Sequence, residues 1–191
     1  CLSEIAFAAR YWQGKIIGIT GTNGKSTLTA LIDQAFRLCG HVSVAAGNIG
    51  FPFSDAVLSE SNQSGAYVVL EISSFQAELA DGLQLDALLW ANFTEDHLDR
   101  YGSMSEYFNA KAHLFDRIKK DGVCVVGPQV ANWMEDMRKE FDACIIAYED
   151  AALVFQLDKE SIFHRFPYSE NFSQAAELWW WLDQSPAKIV E

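Results

Sequence analysis

The stretch Lys15–Thr27, KIIGITGTNGKST, constrains this chain more than any other. Ile16, Ile17 and Ile19 form a short β-branched apolar run, Gly21, Thr22, Asn23 and Gly24 supply a turn, and Lys25, Ser26 and Thr27 open a helix. Strand, glycine-rich loop and helix N-terminus in that order suit a polyphosphate. Unpaired backbone N–H groups and the helix dipole face the anion, and glycines let the backbone come close; a lysine adds a point charge and a hydroxyl reaches a metal. The strict spacing G-x-x-x-x-G-K would need glycine at position 19, where isoleucine stands, so the match is to a variant. An ordinary strand-to-helix turn is the competing reading. The agreement of glycines, lysine, hydroxyls and flanking periodicity weighs against it.

Around this stretch, apolar strands alternate with helical patterns. A short helix is predicted within residues 1–13, with Ile5, Ala8, Ala9 and Trp12 roughly on one face. After the loop, Leu28, Leu31, Ile32, Ala35 and Phe36 fall at helical spacing and Gly40 stops the run. Further strands are predicted at Val42–Ala46, Tyr67–Leu70, Leu85–Ala91, Val123–Val126 and Ala143–Ala147, with helices at 104–118 and around 131–140. The expected fold is α/β, a mainly parallel sheet flanked by helices on both faces, with functional residues beyond the carboxyl ends of the strands. After Tyr148 the pattern changes: Leu153–Leu157 and Ser161–Phe166 read as a small antiparallel sheet or hairpin, and 171–183 as a helix.

Composition narrows the partners. Half of the 191 residues are hydrophobic, ample for a core, and the net charge of −12 argues against nucleic acid or an acidic membrane surface. No apolar run reaches the roughly 18–20 residues of a membrane span, so membrane insertion is not expected. The start, CLSEIAFAAR, lacks the basic region of a signal peptide. Cys1, Cys39, Cys124 and Cys144 show no C-x-x-C pairing; with three of them in or beside apolar runs, a reducing cytoplasm is expected.

Three strand-end or helix positions carry candidate chemistry. Glu71 ends an apolar strand and is placed to hold Mg²⁺ beside a phosphate loop, or is simply solvated or structural. His97 lies in the charged run Asp96–Arg100 and is a metal ligand, a phosphate contact or a surface histidine. Lys111 stands four residues after Tyr107 and four before Phe115, on or beside an apolar helix stripe. It either snorkels to solvent or is held desolvated with a lowered pKa; a neutral amine near Mg²⁺ can take up CO₂ as a carbamate.

Taken together, GTNGKST (Gly21–Thr27), GNIG (Gly47–Gly50), EISSFQAE (Glu71–Glu78) and NFTEDHLDRYGSMSEYFNAK (Asn92–Lys111) resemble the central, ATP-binding domain of the Mur ligases, and within them the D-glutamate-adding type. The resemblance is strongest from about Ala8 to Ile118. It implies a cytoplasmic bacterial enzyme of peptidoglycan precursor synthesis, joining D-glutamate to UDP-N-acetylmuramoyl-L-alanine through an acyl phosphate made from ATP. Carried over by motif, Gly21, Thr22, Asn23, Gly24, Lys25, Ser26 and Thr27 hold the ATP phosphates, with Lys25 neutralising them. Ser26 and Glu71 bind one Mg²⁺; His97 and a carbamylated Lys111 serve a second. Lys25, His97 and Lys111 are the implied catalytic residues, and Asn48, Ser73, Gln76 and His97 the implied contacts to the muramoyl substrate. Asn171 and Gln174 are the nearest match to the adenine-binding Asn-x-x-Asn-Ala, with glutamine in the second asparagine position.

Such ligases have a UDP-binding domain before the central one and a D-glutamate-binding domain after it. The expectation is a single central domain over 1–191, monomeric, without either flank and inactive in isolation. A folylpolyglutamate synthase-like ligase and a nucleotide-binding module without catalysis are the alternatives.

Overall fold

The computed structural model describes residues 2–138, 144–146, 151 and 155–182. Six strands, β1 (Lys15–Thr20), β2 (Ser43–Gly47), β3 (Tyr67–Glu71), β4 (Leu85–Trp90), β5 (Ile118–Val126) and β6 (Cys144–Ile146), form one sheet in the order β2-β3-β1-β4-β5-β6. Every pairing is parallel. The α-helices lying within the described residues are α1 (Glu4–Ala8), α2 (Lys25–Leu38), α3 (Phe53–Leu58), α4 (Ser74–Ala77), α5 (Leu98–Tyr101), α6 (Met104–Ala112), α7 (Pro128–Asp136) and α8 (Tyr168–Trp181).

Both faces of the sheet are covered, which is why its central strands read as continuous apolar runs instead of alternating ones. In β3 all five residues are buried: Val68 and Leu70 face one core while Tyr67 and Val69 face the other. The first core is filled by Ile5 of α1, Phe53 of α3, Phe108 of α6 and Val130 of α7, with Trp90 stacked on Phe108 at 4.9 Å. The second is filled by Leu28, Ile32 and Phe36 of α2 and by Phe172, Leu178 and Trp179 of α8. The direction of winding reverses at β1: the chain visits β2 and β3 on one side of it, then β4, β5 and β6 on the other. The carboxyl ends at such a reversal form the crevice in which an open parallel sheet receives its ligand. No helix among the described residues is long and apolar enough to cross a membrane.

Several boundaries differ from the sequence reading. The helix beginning at Met104 stops at Ala112 and is followed by a 3₁₀ turn, Phe115–Arg117, because Ile118 already enters β5. The start of β5 is hidden in the charged run Lys119–Asp121, where Lys119 pairs with Asp86 of β4 at 2.9 Å. Among the described residues the antiparallel hairpin expected after Tyr148 is not formed. Residues 155–156 lie in a turn and Ile162–His164 in a 3₁₀ helix, while 152–154 fall outside the described residues. Short-range bonds hold the chain in turns here: Asp158 Oδ1 accepts from the Glu160 N–H (2.8 Å) and the Asp158 carbonyl from the Ser161 N–H (2.9 Å). Phe163 stacks on Phe172 of α8 at 4.8 Å instead of on a partner strand. The predicted ends at 139–140, 143, 147 and 183 also fall outside the described residues.

Candidate functional site

The loop Gly21–Gly24 leaves β1 at its carboxyl end and enters α2, with Gly24 as N-cap at φ +75°, a left-handed conformation that an L side chain rarely adopts. Asn171 of α8 lies against this glycine; its Nδ2 donates to the Gly24 carbonyl at 3.5 Å. The Lys25 ammonium donates to the carbonyls of Gly21 (3.1 Å) and Thr22 (2.9 Å), so the lysine curls over its own loop. Burial lowers its pKa, and the charges of Glu71 and Asp96 oppose that drop. Ser26 and Thr27 are exposed in the first turn of α2, where the N–H groups have no intrahelical acceptor.

Glu71, the last residue of β3, is almost wholly buried. Its two carboxylate oxygens are held separately: Ser26 Oγ donates to Oε2 at 2.7 Å, and Asn48 Nδ2 donates to Oε1 at 3.1 Å. Asn48 is itself fixed by its N–H to the Glu71 carbonyl (3.0 Å), just beyond β2. Three sequence-predicted residues, Ser26, Asn48 and Glu71, therefore meet at the ends of three separate elements. Ser73 and Gln76 lie nearby, but their side chains form a reciprocal cap of α4. Ser73 Oγ accepts from the Gln76 N–H (3.2 Å) and Gln76 Oε1 from the Ser73 N–H (3.0 Å).

Lys111 does not reach solvent. It is 1 % exposed on the buried face of α6, and its Nζ donates to the Gly21 carbonyl at 2.9 Å and lies 5.0 Å from the Tyr107 ring centroid. Burial lowers its pKa to about 7; the Lys25 charge adds to the drop and Asp96 opposes it. Two amines thus converge on one carbonyl, that of Gly21. His97, in contrast, is 44 % exposed and caps α5 at φ +52°. Its Nε2 lies 3.4 Å from Asp96 Oδ2, and its ring packs near Phe75 (5.2 Å) and edge-on to Tyr107 (5.9 Å).

Tyr107 is the residue that the sequence offered only as a core position. In the fold it touches Lys111, His97 and, through its hydroxyl at 3.4 Å, Thr22. Its spacing four before Lys111 was the available signal. Gln174 donates from its Nε2 to the Ala91 carbonyl at 2.8 Å, and its Oε1 is buried without a hydrogen-bond partner among the described residues.

Among the described residues no group of three or more His, Cys, Asp and Glu side chains is arranged to hold a metal. One buried carboxylate with an adjacent hydroxyl suits instead a hard cation that brings phosphate oxygens and waters of its own, as Mg²⁺ does.

Comparison with known proteins places this geometry in a family. The Mur ligase middle domain matches residues 19–174. The UDP-N-acetylmuramoylalanine–D-glutamate ligase of Geobacter sp. (strain M21) is 42% identical over 125 residues, 65% of this chain and 27% of the relative. The ligase of the same name from Geobacter metallireducens is 36% identical over 172 residues, 86% of this chain and 35% of the relative. The chain thus spans about a quarter to a third of the length of the curated relatives it matches. Among solved structures, MurF from Acinetobacter baumannii superposes with TM-score 0.67 at 17% identity, over 97% of this chain and 46% of that one. The MurF ligase from Thermotoga maritima in complex with ADP gives 0.58 at 15% identity, over 75% and 34%. These two likenesses concern the fold.

Proposed function

This chain belongs to the Mur ligase middle-domain family, and from that premise we propose that it is the ATP-binding domain of a ligase joining D-glutamate to UDP-N-acetylmuramoyl-L-alanine. In this reading residues 1–191 are one central domain that handles the nucleotide and the reacting carboxylate. The γ-phosphoryl passes to the acceptor carboxylate, and the D-glutamate amine then displaces phosphate from the acyl phosphate. The observation that carries the reading is the convergence of Lys25, the Ser26–Glu71 pair and buried Lys111 on the Gly21–Gly24 loop.

The chain's own part is positioning and charge neutralisation. Lys25, curled over the loop, swings its ammonium to the phosphates as they displace the carbonyls it now holds. Ser26 and Glu71 fit one Mg²⁺: the hydrogen bond between them opens to offer two oxygen donors. Mg²⁺ there supplies neutralisation of phosphate charge. His97 and Lys111, which both contact Tyr107, would serve a second only once Lys111 is converted, since an ammonium repels a cation. With its pKa near 7 the Lys111 amine is largely neutral in mildly alkaline solution. It adds to CO₂ through a new N–C bond and releases a proton, leaving an anionic carbamate. Asn48 orients the Glu71 carboxylate and stands at the substrate side of it. Asn171, which lies against Gly24, and Gln174 are assigned to the adenine by their match to the family's Asn-x-x-Asn-Ala.

The test uses the polypeptide in which this domain is joined to its flanking regions. Supplied with ATP, Mg²⁺, UDP-N-acetylmuramoyl-L-alanine and labelled D-glutamate, it is expected to form the amide with equimolar ADP and phosphate. Turnover with a folate acceptor in its place would contradict the reading.

A further inference from the structure

We propose that Asn92 is a positioning residue for the phosphate loop: its side-chain amide clasps the backbone of Asn23 and fixes the loop's shape before any ligand arrives. The role presupposes the nucleotide site proposed above and adds to it a residue that touches no phosphate. Asn92 follows β4, the neighbour of β1, so it lies beside the loop, and it is buried. Its Oδ1 accepts from the Asn23 N–H at 2.9 Å, and its Nδ2 donates to the Asn23 carbonyl at 3.0 Å. Its own carbonyl accepts from the Thr22 N–H at 3.1 Å. A primary amide bonded to both polar groups of one residue fixes distance and angle together. Rotating that amide by half a turn would set oxygen against oxygen and N–H against N–H.

Two residues on, the same segment grips again. Thr94 N–H donates to Thr22 Oγ1 (3.1 Å), whose hydroxyl in turn donates to the Thr94 carbonyl (3.2 Å). Packing leaves no slack between the two segments: a β-carbon on Gly21 would lie 3.1 Å from Ala91 Cβ and 3.3 Å from the Asn92 nitrogen. Gln174 Nε2 in turn holds the Ala91 carbonyl at 2.8 Å. The segment 91–94 is therefore a fixed mould, and the loop lies in it.

The physical need is entropic. A loop with glycines at both ends has much backbone freedom to lose. Left unheld, it would order only when nucleotide binds, and that ordering would weaken affinity; a clasp made on folding moves the cost out of the binding step. Only asparagine meets both Asn23 groups at this reach. Aspartate keeps the acceptor but faces the Asn23 carbonyl with a second oxygen, and leucine or alanine loses both bonds.

The test is backbone amide hydrogen exchange, read residue by residue by NMR on the ligand-free chain, with affinity for a non-hydrolysable ATP analogue as the second readout. In Asn92→Leu the Asn23 amide is expected to exchange about tenfold faster, the loss of one net hydrogen bond, while amides of β1 and β3 keep their rates. Asn92→Ala repeats this without added bulk if the leucine variant does not fold. Asn92→Asp, which keeps the acceptor, is expected to restore protection at Asn23. Analogue affinity is expected to fall about tenfold in the alanine variant. Unchanged Asn23 exchange in the leucine and alanine variants, or a uniform acceleration across the sheet, would overturn the clasp. Failure of the wild-type chain to bind nucleotide would count against the proposed function instead, and the exchange data would still decide the role of Asn92.

Discussion

Replacing Lys111 by methionine is expected to make the ligand-free chain more stable at pH 7 and to abolish amide formation by the intact ligase. The ammonium is held in an apolar helix face with its pKa lowered to about 7 from the ordinary 10.5. A lysine whose folded pKa is depressed opposes folding wherever the unfolded chain is protonated and the folded one resists protonation. That penalty is complete below pH 7, shrinks as pH rises from 7 to 10.5, and is gone above it. At about 1.4 kcal/mol per pKa unit it is on the order of 4 kcal/mol at pH 7 and about 2 kcal/mol less at pH 9. Methionine fills the same volume without charge. Denaturant titrations of both proteins in CO₂-free buffer should show the variant's advantage narrowing by about 2 kcal/mol between pH 7 and pH 9. A pH-independent difference would mean that Lys111 is not a desolvated amine. In the intact ligase, turnover should fall by about a thousandfold or more, as for loss of a group acting on transition-state charge, and bicarbonate should restore nothing. Wild-type turnover would remove Lys111 from the mechanism.

The second large effect is expected at Glu71. Glu71→Gln keeps the shape of the side chain and one acceptor oxygen, so Ser26 or Asn48 retains a partner and the fold survives. What is lost is the buried anion at the end of β3. Nucleotide affinity in Mg²⁺ should drop by about tenfold to a hundredfold, the range found when groups holding a metal are disturbed. Affinity in EDTA should stay level or rise, because a carboxylate beside the loop repels the phosphates. Isothermal titrations of wild type and variant, with and without Mg²⁺, give all four numbers. Equal losses in the two conditions would show that Glu71 shapes the site without serving a cation.

What was legible in the sequence divides along physical lines. β1, β3 and β4 are buried on both faces over most of their length, and their mainly apolar runs announced them. The loop was legible because glycine, lysine and hydroxyl each carry a separate chemical reason for standing where they do. Lys111 was legible as an anomaly, a charge on an apolar stripe; the fold decides between its two readings by burying it against Tyr107 and the Gly21 carbonyl. After Tyr148 the helix expected over 171–183 is present as α8 (Tyr168–Trp181), but the stretch before it was not legible: Leu153–Leu157 and Ser161–Phe166 read as strands, whereas Asp158 and Ser161 offer the backbone nearby partners and Phe163 finds Phe172. Ser73 and Gln76 stand at the Ser-x-x-Gln spacing of a reciprocal helix cap, a signal the sequence does carry. That Asn92 and Thr94 hold the loop is not legible, because those contacts join segments far apart in the chain.

The central claim, that Gly21–Thr27 with Lys25 is a working nucleotide site, is tested most directly by calorimetric titration of this chain with a non-hydrolysable ATP analogue and Mg²⁺, wild type against Lys25→Ala. Saturable one-to-one binding by the wild type, lost in the variant while its melting curve is kept, is the expected result. Equal binding by both proteins would contradict the account by placing the nucleotide elsewhere; absence of binding by either would contradict the claim that this domain carries the site.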